Sequence, residues 1–296
     1  METHMQHTLG FIGLGMMGMP MAKRLATAGA RFSIYNRTQS KAESLLSAGA
    51  QWCENPSAVA SQSDIVFSMV SNPDALREIA LGPNGVLAGL KPGGIHIDTS
   101  TVSPSLTRDL ALRYAERRCF FLHAPVLGSI PQATDGTLLM FAGGDQVVYQ
   151  TAEPYLKILS KQIWKFDHPE QATHLKLICN LFIAGMITTL GQALNFAQKA
   201  DVDQRTVLDV IGQSQLTSPM YQTKGTSILQ NNFAPRFFLE HMLKDINLML
   251  DAARDVGAPL PAIEIAQELF SEARSAGLGL EDYSAVVKAL QARGGK

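Results

Sequence analysis

Residues 13–18 read Gly-Leu-Gly-Met-Met-Gly. A G-x-G-x-x-G spacing of this kind suits one task, the cradling of a pyrophosphate. Glycines cluster in many loops, so the flanking residues decide. An apolar run over 8–14 precedes the turn and a helical pattern over 17–28 follows it, the strand–turn–helix order that a dinucleotide site requires. Gly13 permits the tight turn, Gly15 lets the backbone approach the pyrophosphate, and Gly18 lets the helix pack on the strand. Leu14, Met16 and Met17 complete the loop, whose free N–H groups lie at a helix N-terminus. The next strand, 31–35, runs into Asn36-Arg37-Thr38. A carboxylate there would take the ribose 2′-hydroxyl of NAD. None is present, and Arg37 offers a planar fork that can hold a 2′-phosphate and stack on adenine. NADP(H) is therefore expected over NAD(H).

The elements that must position this turn alternate. Strands are expected at 8–14, 31–35, 64–70, 95–98, 138–142 and 163–166. Helices are expected at 17–28 (ended by Gly29), 40–47 (ended by Gly49), 103–117 and 147–159, with 73–81 between two strands. Ser103 and Pro104 make a cap and first turn for the third of these helices. Alternation of this kind predicts an α/β fold, a doubly wound Rossmann sheet with helices on both faces. After about residue 166 the pattern is helical throughout: 173–199, 204–213, 220–228, 241–256, 261–276 and 280–292, with breaks at Asp201, Pro219, Pro235, Gly257-Ala258-Pro259 and Gly277. Two domains are expected, an NADP-binding Rossmann domain at 1–166 and an all-helical substrate and oligomerisation domain at 167–296.

Composition is that of a soluble globular protein, 46% hydrophobic and 17% charged. A net charge of −1 gives no general attraction to nucleic acid or acidic membrane. Cys53, Cys119 and Cys179 lie far apart, which fits a reducing cytosol better than a disulfide framework and sets the expectation of a cytoplasmic protein. His168, His174 and His241 show no metal-ligand spacing. The opening residues 1–7 lack the apolar run of a signal peptide, and no fold role is assigned to them. Residues 177–194 are apolar enough to raise the question of a membrane, but Asn180, Thr188, Thr189 and Gln192 argue for a helix buried in protein. Phe233, Phe237 and Phe238 read as core packing, with a wall of the pocket as the second reading. Taken as bare residues, Lys176 and Asn180 are four apart and share one helix face, an ordinary helical pair.

The string GLGMMGMPMAKRL over 13–25 resembles the signature of the β-hydroxyacid dehydrogenases, which include 3-hydroxyisobutyrate dehydrogenase and the glyoxylate/succinic semialdehyde reductases. The resemblance spans nearly the whole chain. Asp98-Thr99-Ser100-Thr101 is similar to the family segment after the fifth strand. The runs 124–129 (APVLGS) and 135–138 (DGTL) resemble the substrate-binding segment. Lys176 and Asn180 match the family's Lys-x-x-x-Asn, and Lys244-Asp245 matches its Lys-Asp pair. The resemblance implies Lys176 as general acid in carbonyl reduction and base in alcohol oxidation, with Asn180 orienting substrate or lysine. The chemistry agrees: charge developing on the carbonyl oxygen can be protonated by a nearby ammonium. It also implies cofactor contacts at Met69, Val70, Thr101 and Lys244, and association into a homodimer or homotetramer through the helical domain.

The chain departs from the family at the substrate segment. Where most members read Asp-Ala-Pro-Val-Ser-Gly, this chain has His123-Ala124-Pro125-Val126-Leu127-Gly128. Leu127 cannot make the serine's bond to a substrate carboxylate. Gly128 and Ser129 follow, and their N–H groups and hydroxyl can hold an anion; the other reading is a more apolar pocket and a larger substrate. His123 reads as structural. The expected activity is NADPH-dependent reduction of a small aldehyde or keto acid. An imine reductase is the second reading, opposed by Lys176 and kept open by Leu127. A non-catalytic dinucleotide-binding protein is the third, opposed by Lys176 and by the lack of a basic arm.

Overall fold

A computed structural model describes residues 7–27 and 32–293. The chain divides after Lys176 into two compact units. In order along the first run β1 (Leu9–Ile12), α1 (Gly18–Thr27), β2 (Phe32–Tyr35), α2 (Glu43–Leu46), β3 (Gln51–Trp52), α3 (Pro56–Ser61), β4 (Ile65–Ser68), α4 (Pro73–Leu81), α5 (Val86–Gly89), β5 (Ile95–Asp98), α6 (Pro104–Glu116), β6 (Phe120–His123), β7 (Val126–Leu127), α7 (Ile130–Asp135), β8 (Leu138–Gly143), α8 (Gln146–Leu159) and β9 (Ser160–Phe166). There follow α9 (Pro169–Lys199), α10 (Gln204–Gln213), α11 (Pro219–Leu229), α12 (Leu239–Asp255), α13 (Pro261–Ala273) and α14 (Val286–Arg293).

The strands lie side by side in the order β3-β2-β1-β4-β5-β6-β8-β7, with β9 on β8. The chain order reverses between β1 and β4, and a crevice opens beyond the carboxyl ends of the strands at such a reversal. From β3 to β6 every pairing is parallel. Beyond β6 the expected doubly wound pattern is modified: β8 runs antiparallel to β6 and β7, and parallel to β9. Each face of the sheet has its own apolar layer. Phe11, Met21, Leu25 and Ile34 lie in one; Ile12, Val66, Leu106 and Tyr114 lie in the other.

Several helices begin with the same device. Asn55, Asn72 and Ser103 accept a hydrogen bond from the backbone N–H three residues on, and each is followed by proline. The cap satisfies a free N–H and the proline ring presets the first helical φ. The 40–47 helix is tighter than expected, a 3₁₀ turn (Gln39–Ala42) leading into α2. Gly29 and Arg31, named as a helix stop and a strand start, lie outside the described residues.

The division after Lys176 falls later than the change of pattern at residue 166. The first turns of α9 bind the first unit: Thr107 and Thr173 hydroxyls lie 3.1 Å apart, and Arg108 meets Glu170 at 3.2 Å. Further along, α9 buries Leu177, Ala184, Ile187, Leu190 and Leu194 in the core of the helical unit. This helix is long and apolar enough to cross a membrane, and those packed residues account for part of its apolar surface.

The last two expected helices are shorter in the structure. α13 stops at Ala273, before a widened turn in which Gly277 takes φ 85°. α14 begins only at Val286 because Asp282 is otherwise engaged. Both its carboxylate oxygens accept from Lys224 Nζ, at 2.8 and 2.9 Å. They also accept from Arg236 N, Ser284 N and Ser284 Oγ, and Lys224 Nζ stands 4.4 Å over the Tyr283 ring. Replacing Asp282 with Ala leaves a buried ammonium unpaired. Stability is expected to fall by about 3–5 kcal/mol, against under about 1 kcal/mol for breaking the exposed Arg77–Asp109 pair. Urea unfolding of the two variants tests that order.

Candidate active site

The glycine turn is shaped from three strand ends. Gly13 has φ 96°, and a Cβ there would collide with the Met69 carbonyl oxygen. A Cβ on Gly18 would collide with the Gly13 carbonyl oxygen and crowd Phe11. Both glycines are therefore demanded by backbone meeting backbone. Gly15 differs: it is exposed, and nothing lies within 4 Å of where its Cβ would be. Open space beside a glycine at the start of α1 is the room that a pyrophosphate needs. Leu14 is buried, whereas Met16 and Met17 are half-buried.

Asn36 ties this turn to the end of β2. Its Oδ1 accepts from Leu14 N at 2.9 Å and its Nδ2 donates to Thr38 O at 2.8 Å. The amide thus builds the loop that carries Arg37 and Thr38, both exposed. Gly13 N donates to Tyr35 O, and Met69 N donates to Ile12 O. Met69 and Val70 are half-buried just past β4, and Val70 N donates to Ser100 Oγ at 2.9 Å.

Below these loops lies a buried polar row; Asp98 and His123 stand out separately in the sequence, but Ser68 and the grouping do not. Ser68, Asp98 and His123 are the last residues of β4, β5 and β6, and the sheet register sets them side by side. All three are fully buried. Asp98 Oδ1 accepts from Ser68 Oγ at 2.7 Å and from Ser100 Oγ at 2.8 Å. Its Oδ2 accepts from Ser100 N at 3.2 Å and stands 3.3 Å from His123 Nδ1, an ion-pair approach without hydrogen-bond alignment. Ser68 Oγ also pairs with His96 Nε2 at 2.8 Å, and His96 Nδ1 with Tyr114 OH at 2.7 Å. Burial alone would raise the Asp98 carboxyl, but His123 and Ser68 hold it below the usual carboxylate range. Burial pushes His96 down to about 4. His123 lies parallel to the Phe121 ring, at 6.3 Å.

Leu127 lies on β7, half-buried and paired with Leu139. Gly128 is exposed at φ 145°. Ser129 N donates to Gln132 Oε1 at 2.9 Å. The Ser129 hydroxyl is shielded from solvent and stands at the head of α7 in a capping box with Gln132.

Lys176 is only 8% exposed, and Asn180 follows one turn later on α9. In the helical unit, Asn180 Nδ2 donates to Asp245 Oδ2 at 2.7 Å. Asp245 Oδ1 meets Lys244 Nζ at 2.7 Å. Asp245, 1% exposed, thus joins two of the residues singled out from the sequence. His241 shares the face of α12 with Lys244 and Asp245; burial, then the Lys244 charge, holds its pKa below the ordinary imidazole value.

These arrangements define a dinucleotide-binding oxidoreductase of two units. Residues 8–167 match the NAD binding domain of 6-phosphogluconate dehydrogenase, and residues 171–290 match the NAD-binding domain of NADP-dependent 3-hydroxyisobutyrate dehydrogenase. The chain belongs to the β-hydroxyacid dehydrogenase family. It is 33% identical over 285 residues to glyoxylate/succinic semialdehyde reductase 2, chloroplastic, of Arabidopsis thaliana, covering 96% of this chain and 80% of the relative. It is 34% identical to the cytokine-like nuclear factor N-PAC of Xenopus tropicalis, covering 95% of this chain but 53% of that protein, so it spans about half of N-PAC. Among solved structures, 3-hydroxyisobutyrate dehydrogenase from Salmonella typhimurium superposes with a TM-score of 0.87 at 26% identity, over 95% of this chain and 99% of that one. An imine reductase from Pseudomonas sp. shares the fold, with a TM-score of 0.62 at 20% identity over 96% of this chain and 99% of that one.

The contrast between glycines is testable. Gly15→Ala is expected to leave stability within about 0.5 kcal/mol and to weaken dinucleotide binding about tenfold, a loss of about 1.4 kcal/mol. Gly13→Ala strains the backbone and is expected to lower stability by about 1–3 kcal/mol. Thermal melts and fluorescence titration with dinucleotide separate the two effects.

Proposed function

We propose that this chain is an NADPH-dependent reductase of a short semialdehyde or keto acid, forming the hydroxyacid and running in reverse as a hydroxyacid dehydrogenase. The observation that carries the reading is Lys176. A lysine so little exposed is uncommon, and this one stands at the position where the family has its acid–base lysine, with Asn180 one turn on. Bound NADPH supplies the hydride. Lys176 gives a proton to the carbonyl oxygen during reduction and takes one from the hydroxyl during oxidation. Asn180 and Lys244, joined through Asp245, keep the polar end of the substrate and the ribose side of the cofactor in place.

Gly13, Gly15 and Gly18 would hold the pyrophosphate, and exposed Arg37, with Thr38 beside it, would hold the 2′-phosphate. Thr101, Met69 and Val70 would line the nicotinamide ribose. The missing carboxylate at 36–38 and the match to an NADP-dependent family domain both support NADP(H). Leu127 removes one hydroxyl from the substrate segment, and the sheltered Ser129 hydroxyl would supply another two residues on. Leu127 is also what favours the second reading, an imine reductase.

Lys176→Ala is expected to lower turnover by about 10²–10⁴-fold while NADPH binding persists; retained activity refutes the assignment. An NADPH-oxidation screen over glyoxylate, succinic semialdehyde, tartronate semialdehyde, methylmalonate semialdehyde and cyclic imines tests the substrate class. Turnover of imines alone selects the second reading, and a higher kcat/KM with NADH overturns the cofactor choice.

We also propose a homodimer or homotetramer, supported by Ile178, Phe182 and Phe196 on α9, which are 51%, 63% and 75% exposed. Light scattering is expected to give a mass at least twice the chain's 32.1 kDa; a monomer overturns it.

A further inference from the structure

We propose that Asp98, acting through Ser100 and held beside His123, is a positioning residue that sets the cofactor-side loops of the first unit. The inference rests on the dinucleotide-binding part of the reading above. The argument starts from register. Ser68, Asp98 and His123 end three neighbouring strands at one level. The segments that leave those ends carry Met69 and Val70, Thr101, and Leu127 to Ser129. A group at this level is therefore one to six residues from every cofactor-side or substrate-side loop candidate on β4 to β6.

Asp98 is built to act as a hub there. Its carboxylate draws together a hydroxyl from the end of β4 (Ser68) and both the hydroxyl and N–H of Ser100. Ser100 then holds Val70 N at 2.9 Å, and Thr99 Oγ1 donates to Ser68 O at 2.7 Å. The loop after β4 and the loop after β5 are thus fastened to one charged group. Two serine hydroxyls and one backbone N–H aim donors at this carboxylate, an arrangement that favours its ionised form. An ionised carboxylate with no exposure needs a compensating neighbour. The His123 ring is that neighbour, 3.3 Å from Oδ2. The other titratable groups facing the carboxylate are His96 on its own strand and Tyr114 of α6, which reaches it through His96. Burial holds His96 neutral and keeps the Tyr114 phenol protonated, and His123 Nδ1 is the ring nitrogen that faces Oδ2.

The sign of the pH dependence follows. The Asp98 carboxyl titrates below its ordinary value, so the fastened arrangement is present above that point and is lost as pH falls through it. Removing the His123 ring leaves burial to dominate, and the carboxyl then takes up its proton at higher pH.

The experiment is isothermal titration of the full chain with NADP⁺ across the acid range, beside thermal melts, for the unaltered protein and for Ser100→Ala, Asp98→Asn and His123→Leu. Ser100→Ala is the mild variant and keeps the test open should Asp98→Asn fail to fold. Ser100→Ala is expected to weaken NADP⁺ binding about tenfold, the worth of one buried hydrogen bond, and His123→Leu to move the acid limb of binding to higher pH. An unchanged Kd in Ser100→Ala together with an unmoved acid limb in His123→Leu overturns the proposal, whatever the melts show, because a merely structural role moves only the melts. If the unaltered protein binds neither NADP⁺ nor NAD⁺, the dinucleotide reading itself has failed and the positioning role falls with it.

Discussion

The close approach of the Gly13 backbone to the Met69 carbonyl is the constraint on which the first unit turns. Where β1 ends, the chain must reverse into α1 without touching the neighbouring strand end. Any side chain at Gly13 would strike Met69, and any at Gly18 would strike Gly13 in turn. The two glycines remove that conflict, and Asn36 then fixes the turn from the other side by accepting from Leu14 N. Three strand ends are drawn to one point, at the place where the sheet's order reverses. Gly15 is left facing open space because its neighbours have taken up the steric demands of the turn.

The same economy explains why the polar row lies one layer below. Loops at the carboxyl ends of parallel strands have no ladder partners of their own, so something else must fix them. In this unit fixed side chains at the strand ends do so, and the loops inherit the register of the sheet. Precision at a reactive site comes from a rigid support of this kind more than from the loops themselves.

Much of the first unit was legible in the sequence because its signals are local. The turn, the strand–helix alternation and the Ser103-Pro104 cap each need only a few adjacent residues. The short helix α3 carried the same signal in Asn55-Pro56, and it is missed only when periodicity is sought over longer windows than six residues. The antiparallel pairing of β8 was not legible, since it depends on how the β7–α7 segment returns. The late start of α14 was hidden for a related reason: Asp282 reads as an ordinary helical residue until Lys224, far away in sequence, is seen to claim it. The polar row was hidden in the same way. Asp98 and His123 stand out only singly and Ser68 not at all, and only the pairing of three strands makes them neighbours. The roles suggested for Lys176, Lys244 and Thr101 came from resemblance, because isolated lysines and threonines carry no signal of their own.

Buried carboxylates recur at the points that matter. Asp98 stands in the sheet, and Asp245 and Asp282 stand in the helical unit, each almost wholly removed from water. Burying such a group is unfavourable unless every oxygen finds a donor or a cation. Each of these draws at least one partner from far away in sequence: Ser68 and His123, Asn180, Lys224. An apolar replacement of equal volume would stabilise the core as well or better, so stability alone does not explain the choice. What a carboxylate adds is direction. It accepts along fixed lone pairs, so it sets the angle as well as the distance of the groups that point at it. Asp98 does this for the loops of the cofactor side, Asp245 for Asn180 and Lys244, and Asp282 for the segment that leads into α12. Segments of each unit are thus oriented by buried charges, and the desolvation those charges demand is the reason each is surrounded by donors.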